Sequence, residues 1–270
     1  MVVSHQPVAS LAPYIEKFWY CEEYLAPHRK ERVLPSGRFQ LIIHLTDAFA
    51  RQHDFAPGET RLPAPMLVVG MRSRFGIVDT TILRSIIGVV FRPGGARPFF
   101  AESAHCFYNE TVPLDQVWGL AASDLRDRLR EASTVAEKFR VLEVVLLGRL
   151  KRAFQLHSSV RYALGEFMLV PHIRSVVDVT REAGLSRRRF AQLFREQVGI
   201  TPKLYCRVHR FQSVLRQITS SVRVDWADVA LAGGYYDQAH LNHEFCDFSG
   251  MSPATYLSSS PRSLTHVPIE

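Results

Sequence analysis

Two separate stretches of the sequence carry side-chain types that read DNA bases. Arg188 and Gln192 lie in the first stretch, and Gln238 and Asn242 lie in the second, about fifty residues further along the chain. Arg, Gln and Asn side chains form paired hydrogen bonds with base edges in the major groove of duplex DNA. Their types and spacing therefore indicate binding of double-stranded DNA through two recognition segments.

The residues around each stretch predict a helix-turn-helix unit, which therefore occurs twice in the sequence. In each copy a short apolar helix is followed by a turn glycine, Gly184 or Gly234, which suits the positive-φ backbone of a tight turn between crossing helices. Ser186 and Asp237 then stand where the N-cap of a second helix accepts hydrogen bonds from free backbone N–H groups. Each copy closes with Gly-x-(Thr/Ser)-Pro.

Helical periodicity assigns one face of each second helix to the core and the other face to DNA. The predicted core stripes are Phe190, Leu193, Phe194 and Val198 in the first copy and Leu241, Phe245 and Phe248 in the second. The predicted DNA-contacting residues are Ser186, Arg187, Arg188, Ala191, Gln192 and Arg195 in the first copy, Lys203, Arg207 and Arg210 after it, and Gln238, Ala239, His240, Asn242 and His243 in the second copy.

A long amphipathic helix is predicted to connect the two copies and to fix their separation. Pro202 suits its first turn, and an apolar stripe follows at Leu204, Val208, Phe211, Leu215 and Ile218. The charge is uneven: residues 187–216 hold eight basic side chains against one acid, whereas residues 223–256 hold one basic side chain against five acids. We therefore expect the first copy and the connecting helix to neutralise most of the DNA phosphates.

The N-terminal third of the chain predicts strands. Runs of aromatic and β-branched residues of strand length recur between turns that contain Pro and Gly. Because no periodic segment of helix length interrupts these runs, we expect an antiparallel barrel or sandwich. The predicted strands are Tyr14–Tyr24, Phe39–Leu45, Met66–Met71, Phe75–Thr81 and Arg84–Phe91.

The pattern changes to helices after Gly94 and Gly95. The fold class is therefore α+β with two domains: a β-barrel or sandwich-like domain with trailing helices, and then an all-α domain. We expect a sensor or dimerisation domain at 1–155, a DNA-binding domain at 156–258 and a flexible tail at 259–270. The helices predicted in the first domain are Pro98–Glu102, Leu114–Gly119, Ser123–Glu131 and Val135–Phe154.

Composition and cysteine spacing exclude several other classes. The net charge of +7 is compatible with a polyanionic partner. No apolar run approaches the ~18 residues of a membrane helix, and the N-terminus lacks the features of a secretory signal. The four cysteines are dispersed and form no CxxC pair, which excludes a zinc ribbon and a thioredoxin-type site. We expect a cytoplasmic protein without a cofactor.

The C-terminal residues resemble the DNA-binding domain of the AraC/XylS family of bacterial transcription regulators. The resemblance covers about Pro171–Leu257 and is most specific at Gly234–Leu241, Phe245 and Gly250–Tyr256. One departure from the family pattern is Thr180, which stands where the family usually has a small Ala. The N-terminal part resembles a domain of unknown function that is found fused to this DNA-binding domain.

The resemblance implies a domain of about seven helices with two helix-turn-helix units that bind promoter DNA in successive major grooves. It also implies RNA polymerase as a partner and leaves open a small-molecule effector and a homodimer. Two alternatives remain: a cupin-like enzyme tethered to DNA, and an architectural binder without sequence preference. The sequence shows no His-x-His with a downstream Glu, which a cupin-like metal site would need, so we expect no enzyme. The polar outer faces disfavour the architectural binder, which needs mainly Lys and Arg.

Overall fold

The structure is a computed structural model that describes residues 2–22, 27–47, 53–56, 59–61, 64–150, 154–169, 174–221, 223–259, 261 and 263–269. These residues form strands and then helices in the first part of the chain and mainly helices in the second, as the α+β prediction expected. None of the helices in these ranges is long and apolar enough to cross a membrane. Within the same ranges, no cluster of three or more His, Cys, Asp or Glu side chains could hold a metal ion.

The described strands are β1 (Val2–His5), β2 (Ile15–Glu22), β3 (Lys30–Val33), β4 (Phe39–His44), β5 (His53–Ala56), β6 (Glu59–Arg61), β7 (Met66–Val69), β8 (Gly76–Asp79), β9 (Ser85–Phe91), β10 (Thr111–Pro113) and β11 (His266–Ile269). These described strands pair in antiparallel fashion into three sheets. The largest has the order β1-β2-β9-β4-β7-β10, the second has the order β11-β3-β8, and β5 pairs with β6.

One face of the large sheet is buried by the helices that follow it. Along β4, Phe39, Leu41 and Ile43 are buried and alternate with half-buried neighbours, because successive side chains of a strand point to opposite faces. Phe100 packs between Phe39 and Trp118, with ring centroids 5.8 Å and 5.7 Å away. The covering helices are α1 (Asp115–Trp118), α2 (Leu120–Glu131) and α3 (Val135–Arg149).

The N-terminal predictions are confirmed in type and corrected at their ends. All five predicted strands are present, although Tyr24, the predicted end of the first, lies outside the described residues. The helix predicted at Pro98–Glu102 is replaced by a short 3-10 helix at Arg97–Phe99, since the backbone of Phe100 is already extended. The long predicted helix ends at Arg149 because Leu150 is extended; residues 151–153 are not described.

Seven α-helices follow in the described part of the C-terminal region, as the family resemblance implies. They occupy the predicted places of the two helix-turn-helix units and of the connecting helix. The domain limits themselves stay a prediction. The seven helices are α4 (Ser158–Leu169), α5 (Val176–Glu182), α6 (Arg187–Val198), α7 (Pro202–Ser220), α8 (Trp226–Ala232), α9 (Gln238–Ser249) and α10 (Pro253–Ser258).

The segment expected to be a flexible tail instead contains a strand. His266–Ile269 forms β11, which pairs along its full length with β3 of the N-terminal region. Val267 is completely buried in the hydrophobic cluster that also holds residues of α7 and α9. The Tyr256 hydroxyl donates to the carbonyl of Leu264 at 3.0 Å and ties the turn before β11 to α10. Hydrogen bonds along a sheet edge and burial of Val267 therefore overturn the prediction for these residues.

The strand-rich and helical parts pack directly against each other. Gln212 of α7 is buried and donates to the carbonyl of Pro35 at 2.6 Å. The Arg32 guanidinium donates to the carbonyl of Gly250, just after α9, at 3.2 Å. The Ser103 hydroxyl donates to the carbonyl of Glu196, in the last turn of α6, at 3.3 Å. Both predicted recognition helices thus have their C-terminal ends against the N-terminal part of the chain.

Candidate nucleic-acid interface

The turn of each helix-turn-helix has the predicted backbone conformation. Gly184 has φ 70° and Gly234 has φ 72°, values that glycine adopts without strain. Thr180, the departure from the family pattern, is buried, and its hydroxyl donates to the carbonyl of Val176 at 2.6 Å. The hydroxyl of this bulkier residue is therefore satisfied inside the first unit.

The N-caps of both recognition helices are confirmed. The Ser186 hydroxyl accepts from the backbone N–H of Arg189 at 3.3 Å. The Asp237 carboxylate accepts from the backbone N–H of His240 at 2.7 Å. Each cap satisfies a backbone donor that has no partner within the helix and so fixes where α6 or α9 begins.

The predicted core stripes of α6 and α9 are buried as the periodicity indicates. Phe194 lies 5.5 Å from the ring of Tyr205, near the start of α7. Phe245 and Phe248 each lie 5.1 Å from the ring of Phe211, in the middle of α7. The connecting helix is therefore the common support for both recognition helices, which are held by aromatic packing.

The outer face of α6 is exposed and basic. Ala191 is half-buried among these residues. The Gln192 amide donates to Glu196 at 2.8 Å and accepts from Arg189 at 3.3 Å, so its polar atoms lie in a hydrogen-bonded row along the helix. The predicted contact residues of the first unit that are exposed are Ser186, Arg187, Arg188, Gln192 and Arg195, and Lys203 of α7 is exposed beside them.

Arg207 and Arg210, which the sequence predicts as DNA contacts, are half-buried and lie beside α9. Both bind the buried carboxylate of Glu244 in α9: Arg207 Nε lies 2.7 Å from Oε2, and Arg210 Nη2 lies 3.2 Å from Oε1. Arg210 also donates to the carbonyl of Gly234 at 3.1 Å. Through these contacts the two arginines hold the second unit to α7.

One signal in the sequence could have revealed this pairing. Glu244 falls within the stripe of Leu241, Phe245 and Phe248, and its side chain is only 4 % exposed. A carboxylate in an apolar stripe needs a cation from a neighbouring element, since a buried unpaired charge is costly. Burial and the adjacent Glu244 charge together raise the pKa of Tyr235, whose ring lies under the Arg210 guanidinium at 4.9 Å.

The second unit presents a less charged surface. His240 is turned back toward its own helix-turn-helix, because its Nδ1 accepts from the backbone N–H of Tyr236 at 3.3 Å and its ring packs on Tyr235. Tyr236, which the sequence did not single out, is 91 % exposed next to the start of α9. Of the predicted contact residues of this unit, Gln238, Ala239, His240 and His243 are exposed, and Asn242 is half-buried.

Three of the five acidic side chains of the second unit have structural roles. The Asp225 carboxylate caps α8 by accepting from the backbone N–H groups of Ala227 and Asp228. Asp237 caps α9, and Glu244 is neutralised by arginines of α7. These carboxylates are therefore engaged within the domain and do not form one exposed acidic surface.

Two helix-turn-helix units on a shared connecting helix define a double helix-turn-helix domain. Residues 179–259 match a family described as a helix-turn-helix domain, and residues 3–113 match a domain of unknown function. The C-terminal part of the chain is a helix-turn-helix domain of the AraC type, joined to that N-terminal domain. No curated protein sequence matches the chain significantly.

Among solved structures, the chain is similar to ToxT from Vibrio cholerae. One ToxT structure aligns over 96% of this chain and 97% of that chain, with 11% sequence identity and a TM-score of 0.43. Another, of wild-type ToxT from strain SCE256 with a bound unsaturated fatty acid, aligns over 95% of this chain and 93% of that chain, with 10% identity and a TM-score of 0.43.

Proposed function

We propose that this protein is a sequence-specific transcription regulator that inserts α6 and α9 into successive major grooves of promoter DNA. The observation that carries the proposal is the exposed face of α6, where Arg188 and Gln192 stand beside Arg187 and Arg195. Arg and Gln read base edges, whereas the flanking cations neutralise phosphates. Helix α7 supports both recognition helices through aromatic contacts, so the separation of α6 and α9 is fixed before DNA binds.

The two units have unequal roles in this proposal. The first unit supplies most of the phosphate contacts through Arg187, Arg195 and Lys203. The second unit supplies base contacts through Gln238, His243 and the exposed Tyr236. Arg207 and Arg210 are absent from the proposed contact set because Glu244 engages them.

The N-terminal domain is the proposed site of regulation. It contacts the end of α6 through Ser103 and the residue after α9 through Arg32. If a small-molecule effector or a second copy of the chain shifted these contacts, both recognition helices would move together. The promoter-bound protein would then act on RNA polymerase in the cytoplasm.

Selection from random-sequence duplexes by the full chain tests the proposal. We expect a two-part site to be enriched, and Arg188→Ala to lose about 1–3 kcal/mol of discrimination at one base pair of it. Arg140→Ala is the matched control, since Arg140 is exposed on α3 of the N-terminal domain. Tight binding without any enriched sequence would favour the architectural binder and overturn the regulator.

A further inference from the structure

A groove lies between the N-terminal domain and the first helix-turn-helix unit. It encloses about 640 Å³. From here on we call it the junction groove. Its N-terminal wall includes Arg74 and His105, and its C-terminal wall includes Arg195, Lys203 and Arg207. The groove therefore has basic side chains on both walls.

The N-terminal wall of the junction groove is held firmly against α6. The helix ends at Gly199, where φ is 107° and an added Cβ would lie 3.2 Å from the carbonyl oxygen of Ala104. The Ser103 hydroxyl donates to the carbonyl of Glu196 one turn earlier. Because Ser103 and Ala104 directly precede His105, the backbone of His105 is held beside the recognition helix.

The loop that carries Arg74 is tied to the same wall. The backbone N–H of Ser73 donates to the Asn109 side chain at 2.8 Å, and the Ser73 hydroxyl lies 2.8 Å from the Tyr108 hydroxyl. Arg74 is exposed, and it follows the residue that makes these bonds. The loop thus presents a cation at the groove from a supported backbone.

The charges of the junction groove favour a polyanion. Arg207 lies 3.4 Å from Asp247, the one acid among the lining residues. That pair is neutral as a whole, and the other charged side chains of the lining, Arg74, Arg195 and Lys203, are basic. Arg195 belongs both to this groove and to the outer face of α6, so the basic surface runs from the recognition helix onto the N-terminal domain.

We propose that the junction groove binds the sugar-phosphate backbone beside the major groove that α6 occupies, with Arg74 and His105 as phosphate contacts. The inference rests on the proposed function and adds the N-terminal domain to the DNA-binding surface. A helix in the major groove has a phosphate backbone on each flank, within reach of side chains at its edge. Arg195 marks the flank that faces the junction groove. Arg74 can donate charge-assisted hydrogen bonds to phosphate oxygens, and an imidazole N–H of His105 can donate another.

The salt dependence of DNA binding by the full chain tests this inference. The probe is a duplex enriched by the wild-type chain from random DNA, together with an unrelated duplex of equal length. Arg74→Gln should reduce the log–log salt slope by roughly 0.9, the value for one neutralised phosphate, and should weaken binding to both duplexes equally. His105→Gln should weaken both by a smaller factor, and Arg74→Lys should keep the slope because it keeps the charge.

The matched control is Arg84→Gln, which removes the same charge from an exposed turn of the N-terminal domain outside the groove lining. The inference is overturned if Arg74→Gln changes the slope no more than Arg84→Gln does. It is also overturned if inorganic phosphate raises the melting temperature of the wild type but not of Arg74→Gln while the slopes agree, since the groove would then take a small anion. In either case the proposed function stands as long as Arg188→Ala still relaxes base preference.

Discussion

Arg210 of the connecting helix lies 3.2 Å from the buried carboxylate of Glu244 in the second recognition helix. The pair joins α7, the helix that separates the two recognition helices, to α9, the second of those helices. A basic residue at this position would, from sequence alone, be assigned to phosphate binding. Its location shows that Arg210 stabilises the packing of α9 on α7. A substitution at Arg210 should therefore affect DNA binding indirectly, by destabilising the second unit.

Arg210→Ala should therefore destabilise the protein. We expect the free energy of unfolding to fall by about 3 kcal/mol or less. This loss is at the lower limit of the range for a broken buried ion pair, because Arg207 still neutralises Glu244. Urea unfolding of the full chain measures this loss. In a Glu244→Gln background the same substitution should cost clearly less, and equal costs in both backgrounds would show that the two side chains are not coupled.

The salt dependence of DNA binding should separate the two units. Changing Arg187 and Arg195 to Gln should lower the log–log slope by roughly 0.9 for each phosphate that these side chains neutralise in the wild type. Changing Gln238, His240 and His243 to Ala should leave the slope nearly unchanged while eroding base preference in the other half of the site. Fluorescence anisotropy at several salt concentrations measures both effects. Equal changes of slope in the two variants would contradict the division of roles.

His209 should make the protein less stable in mild acid. Burial, with help from the Arg38 and Arg216 charges, lowers the pKa of this imidazole from 6.5 to about 3. Between these pH values the unfolded chain binds a proton that the folded chain does not, so the free energy of unfolding falls as pH falls, by up to ~1.4 kcal/mol per pH unit. Urea unfolding from pH 7 to pH 5 should show a shallower pH dependence for His209→Gln, and parallel curves would contradict this assignment.

The strand at the end of the fold should contribute to the stability of the whole molecule. Val267→Ala removes two buried carbon atoms and should lower the free energy of unfolding by about 2 kcal/mol. Val2→Ala is the matched control, since Val2 is 62% exposed in an edge strand and its loss should have little effect. Similar losses for the two variants, measured by thermal unfolding, would mean that β11 is not part of the stable structure.

The features that the sequence predicted well are set by neighbouring residues. Ser186 and Asp237 bond to backbone groups three residues ahead, and Gly184 and Gly234 adopt a conformation that is costly for other residues. The apolar stripes of α6, α7 and α9 likewise follow from the period of one helix. These local rules suffice to locate both helix-turn-helix units and to predict which face of α6 is exposed.

The features that the sequence missed depend on residues far apart in the chain. The pairing of β11 with β3 and the contact of Arg210 with Glu244 join segments whose proximity exists only in the folded molecule. Helical periodicity places Arg207 and Arg210 on α7 but does not reveal which element faces them. The prediction of a flexible tail failed for the same reason, since composition says nothing about the open edge of a distant strand.

The pairing of β11 with β3 has a consequence for synthesis on the ribosome. Strand β3 emerges early, and the strand that covers its edge emerges only after both helix-turn-helix units. Until then a nascent chain carries an uncovered strand edge, which is a template for pairing with other chains. A stalled or prematurely terminated chain keeps that edge permanently open, so the incomplete product should aggregate even when its recognition helices are intact.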